Sequence, residues 1–243
     1  MTTVPKLFIC ISIIILFSES IYAQSNPPLL LDDPGTPGSE KWEINIMTSL
    51  EHSTVNDEWQ MLLFDINYGL GDRSQIAVSL PYVVEWSEGT RDWLGFDGVE
   101  LGFKYRFLDQ SEYFSSDISF YPKIYFSFES EASSEFSLPF EFHKEWLNFG
   151  LTAEIGHIWV QGGDNRWEGG VGFAISFDRV KLLGEWHTGV REAPLDLAEP
   201  MVNVGLTWEW LENVSLYFSF GKSLHSHEDE TNFWSLCGIQ LLF

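Results

Sequence analysis

Along most of this chain apolar and polar residues alternate with a period of two, in segments of about ten residues bounded by turn-forming residues. The alternation is sharpest over 97–108, where Val99, Leu101, Phe103, Tyr105 and Phe107 share one face and Glu100, Gly102, Lys104 and Arg106 the other. Successive side chains of a strand point to opposite sides of a sheet, so such a segment predicts a strand with one apolar and one polar face. The same holds over 200–210, where Val202, Val204, Leu206, Trp208 and Trp210 oppose Asn203, Gly205, Thr207 and Glu209. Over 166–177, Val171, Phe173, Ile175 and Phe177 oppose Gly170, Gly172, Ala174 and Ser176. The pattern predicts strands near 41–51, 58–68, 74–85, 97–108, 116–127, 135–143, 147–159, 166–177, 180–189, 200–210, 213–221 and 232–243.

Repetition of such segments is the signature of a transmembrane barrel, with the apolar face towards lipid and the polar face towards a lumen. The expected fold is therefore all-β: an antiparallel transmembrane β-barrel of about 12 strands, with ten as the alternative count. A soluble β-sandwich would alternate too, but would bury its apolar face in a core.

Both ends of the chain favour the membrane reading. Lys6 precedes the apolar run 7–17, and Ser18-Glu19-Ser20 leads to Ile21-Tyr22-Ala23. The run is too short for a membrane-spanning helix, which needs about 20 residues, and suits a signal-peptide core. Residues 1–23 are thus expected to be a signal peptide cleaved after Ala23, rather than a retained anchor. Residues 24–40 then form a periplasmic N-terminal segment, and 41–243 the barrel. The last strand ends Ile239-Gln240-Leu241-Leu242-Phe243, the pattern that barrels present to their assembly machinery. The expected location is the bacterial outer membrane, reached by Sec-type export.

Connection lengths fit this orientation, because barrels pair short periplasmic turns with longer external loops. An even strand count brings both termini to one side, expected to be periplasmic. Short connections fall at 69–73, 144–146, 178–179 and 211–212, with a looser one around 109–114; the longer ones are expected at 86–96, 188–199 and 222–231. Pro81, Pro122 and Pro139 lie inside proposed strands, where the missing N–H breaks a ladder bond and calls for a bulge or local widening.

Charge narrows the partners. Removing residues 1–23 takes away Lys6 and Glu19, so 12 basic and 35 acidic residues remain and the net charge stays at −23. A surface of that sign repels phosphates, so no nucleic-acid partner is expected. Cys237 alone survives processing, which excludes an intramolecular disulfide. The expected partners are outer-membrane lipid and lipopolysaccharide, the assembly machinery that reads the terminal strand, and a small-molecule solute; the expected state is a monomer.

An ordered set of motifs then supports a resemblance. Leu31-Asp32-Asp33-Pro34-Gly35-Thr36-Pro37-Gly38 is followed by Trp42-Glu43-Ile44-Asn45, then by 65–73 with Gln75 and Leu80-Pro81-Tyr82, and by 97–106. Leu138-Pro139, Asn165-Arg166-Trp167 with Gly169, Gly184-Glu185-Trp186-His187 and 218–223 complete it. Over roughly residues 31–243 the chain resembles the outer-membrane transporter family named for the meta-pathway of phenol degradation. The resemblance implies a barrel that passes small, often aromatic or poorly soluble compounds, and carries the strand prolines at their family positions. It brings no agreed set of functional residues and no enzymatic assignment.

The candidate site is the lumen. Strand parity points Glu43, Asn45, Asp65, Asn67, Glu100, Lys104, Arg106, Lys123, Glu141, His143, Glu154, Glu185, His187, Asn203 and Glu209 inward. Charged groups on facing strands orient solutes in selective pores. The alternative is a network that pairs with itself and fills a barrel of intermediate width. The many Trp residues suit interfacial girdles better than a solute slide. No spacing indicates a cofactor or a metal, and acidic loop residues such as Glu129, Glu131, Asp196 and Glu228 match no Ca²⁺ loop. His225-Ser226-His227 with Glu228 and Asp229 is the best material for a lipid-modifying enzyme, but no Gly-x-Ser-x-Gly elbow accompanies it. The expected function is passive transport; a non-conducting structural or adhesive barrel is the alternative.

Overall fold

The computed structural model describes residues 28–53, 56–87, 90–110, 116–128, 133–192, 195–224 and 232–243. The expected leader, the His225–Asp229 cluster and the acidic residues at 129, 131 and 228 fall outside them.

Twelve antiparallel strands close into a barrel. They are β1 (Trp42–His52), β2 (Asn56–Gly71), β3 (Ser74–Ser87), β4 in two pieces (Thr90–Phe96 and Gly98–Leu108) and β5 in two pieces (Asp117–Phe120 and Lys123–Ser127). Then follow β6 (Glu135–Trp146), β7 (Phe149–Val160), β8 (Arg166–Phe177), β9 (Val180–Glu192), β10 (Leu195–Leu211), β11 (Val214–Ser223) and β12 (Phe233–Leu242). Each strand pairs with its sequence neighbours, and β1 pairs with β12 from Glu43↔Leu242 to His52↔Phe233, so no edge remains open. Both pieces of β4 hydrogen-bond to β3, which makes them one stave. The two pieces of β5 are likewise both paired to β4 and β6.

The prolines account for the interruptions. Tyr121-Pro122 separates the halves of β5, where Pro122 has no N–H to give and its carbonyl accepts from Phe103 at 3.0 Å. The Pro139 carbonyl accepts from the Tyr121 N–H at 3.0 Å. Pro81 stays within β3, with bulges nearby between Gln60 and Leu62 and between Val83 and Val84.

The alternation sorts as expected. Val171, Phe173, Val202, Val204, Phe218 and Phe220 are exposed on the outside, while Asn45, Asn67, Lys104, Ser119 and Asn203 are buried inside. In β12, Trp234 and Gln240 are buried and Phe243 is exposed. Tight turns occupy one end at Asp72-Arg73, Leu147-Asn148, Asp178-Arg179 and Glu212-Asn213, the end that also holds residue 41 and the C-terminus. Several boundaries differ from expectation. β6 runs to Trp146, so its turn is Leu147-Asn148, with Leu147 at φ 54°. At the opposite, loop end, β3–β4 and β9–β10 remain paired out to Ser87↔Thr90 and Glu192↔Leu195, through segments expected to be loops. The sequence alternation fades there while the ladder continues, because backbone hydrogen bonding needs no apolar face.

Candidate functional site

The lumen is occupied by the chain's own N-terminal segment, which enters at the turn end and crosses to the far wall. Entry is fixed by a backbone exchange with β2: the Glu40 N–H donates to the Gly69 carbonyl and the Gly69 N–H to the Lys41 carbonyl, each at 3.0 Å. Gly69 has to be glycine here, since a Cβ would stand 1.8 Å from the Gly38 carbonyl oxygen. Gly38 itself turns the chain at φ 90°, a conformation few other residues accept. The Thr36 hydroxyl then donates to the Asp72 carbonyl at 3.0 Å, and an Asx turn, Gly35 N–H to Asp33 Oδ1 at 2.7 Å, tightens the passage around Pro34.

Beyond that turn the segment meets inward-facing strand residues one after another. Lys104 Nζ of β4 donates to the Asp33 carbonyl at 2.5 Å. Lys123 Nζ of β5 lies 3.3 Å from Asp32 Oδ2. The Asp32 N–H donates to Glu154 Oε2 of β7 at 2.9 Å. The Leu30 and Leu31 N–H groups donate to the two carboxylate oxygens of Glu185 on β9, at 2.8 and 3.0 Å. Pro28 ends against β10, where a Cβ at Gly205 would come within 2.9 Å of its ring. These contacts run from β4 to β10, half the circumference of a twelve-strand ring, so the segment spans the lumen from wall to wall.

Two polar clusters support it. Lys104 and Glu141 pair at 3.2 Å with both side chains fully inaccessible to solvent, and the Ser119 hydroxyl donates to Glu141 Oε2. Tyr121 lies between the two lysines, whose ammonium groups stand 4.6 and 5.0 Å from its ring centre. Its ring fits because Gly102 has no side chain, a Cβ there being 2.5 Å from Cε2. The second cluster joins β1, β2 and β3. The Asn45 amide donates to Glu43 Oε1 at 3.0 Å and Asp65 Oδ2 at 3.1 Å, Asn67 donates to Asp65 Oδ2 at 2.9 Å, Gln75 to Asn67 Oδ1 at 3.0 Å, and Ser79 to Asp65 Oδ1 at 2.8 Å. These side chains are too buried to be a wet lining; amide and hydroxyl donors offset the loss of water around two carboxylates.

Of the residues predicted to face the lumen, Lys104, Lys123, Glu141, Glu154 and Glu185 come together around the segment, and Glu43, Asp65 and Asn67 form the wall cluster. Glu100 is half-buried and borders a cavity. His143 Nδ1 lies 2.9 Å from the Thr152 hydroxyl. Arg106 sits nearer the turn end, 3.6 Å from Asp109 and donating to the Asp72 carbonyl at 2.9 Å. His187 is half-buried beside the β9 bulge, and no hydrogen bond of the network involves it among the described residues. The ligand atoms of Asp32, Glu141 and Glu154 lie within 4.8 Å of one another, a spacing a cation would accept, but Lys104 and Lys123 already stand against two of the three.

Sequence reading missed the other half of this site. Asp32, the carbonyl of Asp33, Tyr121, Gln75 and Ser119 all take part. The available signal was Leu29-Leu30-Leu31 set before Asp32-Asp33, an apolar triplet out of place in a solvated tether. The segment leaves two cavities, one at the turn end of about 90 Å³ and one at the loop end of about 270 Å³.

No family model and no curated protein sequence matches the chain. Solved structures do resemble it. The COG4313 outer membrane channel from Pseudomonas putida F1 aligns over 89% of this chain and 100% of its own, with a TM-score of 0.67 and 11% identity. The NanC porin aligns over 82% and 98% (TM-score 0.60, 6% identity), and the KdgM porin over 83% and 99% (TM-score 0.56, 10% identity). At these identities the likeness defines the fold: a porin-like outer-membrane β-barrel.

Proposed function

We propose that the protein is an outer-membrane channel for passive movement of small molecules, with both termini in the periplasm and the N-terminal segment narrowing the path. One observation carries the reading. The lumen is polar along its length and is obstructed by a short irregular segment held mainly by hydrogen bonds and one ion pair, with a cavity on either side. A barrel needing only structural closure would fill its interior with strand side chains, as narrow barrels do. The family resemblance adds that the solutes are aromatic or poorly soluble, consistent with the apolar side chains Leu29, Leu31 and Leu183 beside the turn-end cavity. Export through the Sec route, assembly through the strand ending at Phe243, lipopolysaccharide at the outer rim and a monomeric state complete the proposal; a catalytic role has no part in it.

Liposome swelling and planar-bilayer conductance of the purified full chain test it. Solute-dependent flux is expected, and it should rise in Glu185→Ala, which removes the acceptor for Leu30 and Leu31; hydrogen bonds to a charged group contribute about 1.5–3 kcal/mol each. Absence of flux for every solute, in the wild type and in Glu185→Ala alike, would favour the non-conducting barrel.

A further inference from the structure

The two cavities beside the crossing segment differ in charge as well as in size. At the turn end Lys181 faces two acids, Asp33 and Glu209, with His143 beside them. The loop-end chamber is lined instead by Asp32, Glu51, Asp65 and Glu100. Lys123 is the one basic residue among its described lining side chains, and its ammonium lies 3.3 Å from the Asp32 carboxylate. Lys104 is directed to Glu141 and to the Asp33 carbonyl rather than into the chamber. Four carboxylates against one ammonium leave an excess of negative charge in a chamber that opens towards the loop end.

The remaining lining is apolar. Met47 and Leu63 from β1 and β2, Trp234 and Leu236 from β12, and Leu29 and Leu30 from the segment supply it. A solute complementary to both parts carries a positive charge and a compact apolar body. An anion would face four acids, and a neutral alcohol would gain the apolar contacts without the charge pairing. The indole of Trp234 adds an aromatic ring, a group type that attracts ammonium; Tyr121 is already taken by Lys104 and Lys123.

We infer that the loop-end chamber is a binding site for small organic ammonium cations with an aromatic or short aliphatic body. The inference rests on the channel reading for how a solute reaches the chamber, and it adds the sign of the charge that the path selects. Glu100 is the counter-ion best placed to respond, being half-buried rather than locked into the wall cluster as Asp65 is.

The test compares phenethylammonium, 2-phenylethanol and phenylacetate by calorimetric titration of the full chain in detergent, and the same three in liposome flux. Phenethylammonium should bind about tenfold or more tightly than either analogue at low salt, as expected for one charge-assisted hydrogen bond. Glu100→Gln should remove most of that preference and leave binding of 2-phenylethanol unchanged. Lys181→Met, at the turn-end cavity, should leave the preference intact. Retained heat-modifiable electrophoretic mobility verifies that each variant is folded. Equal binding of the three compounds, or a preference that survives both Glu100→Gln and Asp65→Asn, overturns the inference. Flux of all three with no cation preference in binding overturns the inference and leaves the channel standing. Preferential ammonium binding without any flux leaves the chamber assigned and rejects the channel.

Discussion

The barrel wall and the segment that crosses it are built from the same chain but held by different physics. The wall is periodic: apart from bulges and the proline interruption of β5, backbone groups meet a neighbouring strand, and the apolar faces point outward, so its stability is spread over twelve ladders. The segment from 28 to 40 has no regular structure, and its hold on the barrel is a short series of individual bonds to Asp72, Lys104, Lys123, Glu154 and Glu185. Ladders fail cooperatively, whereas a series of point contacts loosens one at a time. In the proposed channel, a path governed by such a segment would be adjusted by single side chains without endangering the barrel.

The largest expected effect sharpens this contrast where the two regions share a residue. Lys104 serves the wall through Glu141 and the segment through the Asp33 carbonyl. Lys104→Met strands a buried carboxylate and should destabilise the protein by about 3–5 kcal/mol, whereas the joint change with Glu141→Met should recover most of the loss. Denaturant-induced unfolding in micelles reads both. A joint variant as unstable as the single one would show that the pair is not the source of the effect.

A smaller loss is expected on the lipid side. Val204 lies mid-strand in β10 and is 63% exposed, opposite in parity to the buried Asn203. Val204→Arg should cost about 2–4 kcal/mol, the value for a cationic side chain at the bilayer midplane. The same unfolding assay in lipid vesicles checks it, and a neutral outcome would place Val204 away from hydrocarbon. The smallest effect concerns Cys237, on the outward parity of β12 between the buried Trp234 and Gln240. Its labelling by a water-soluble maleimide in intact membranes should be slow, and rapid labelling would put the strand register off by one.

The wall was legible in the sequence because a period of two survives wherever one face meets lipid and the other a polar lumen. The staves at 97–108, 166–177 and 200–210 follow from it directly, and so does the parity that buries Glu43, Lys104, Glu141 and Glu185. Extension of β3 and β9 beyond the alternating region was not legible, since a ladder in water needs no apolar face. The crossing segment was hidden for a related reason. Asp32-Asp33-Pro34-Gly35 signals a turn but not what the turn rests against, and the partners of Asp32 lie 91 and 122 residues away. Irregular structure stabilised by distant side chains has no period to detect.

The central claim is that residues 28–33 lie across the lumen. It is tested most directly by a Pro28→Cys/Gly205→Cys pair in a Cys237→Ser background, because a Cβ at position 205 falls within 2.9 Å of the Pro28 ring. We expect an intramolecular cross-link to form in the membrane-embedded protein, visible as a reductant-sensitive mobility shift. Failure of the pair to cross-link under oxidising conditions, in a barrel that remains folded, would mean that the segment lies outside the lumen.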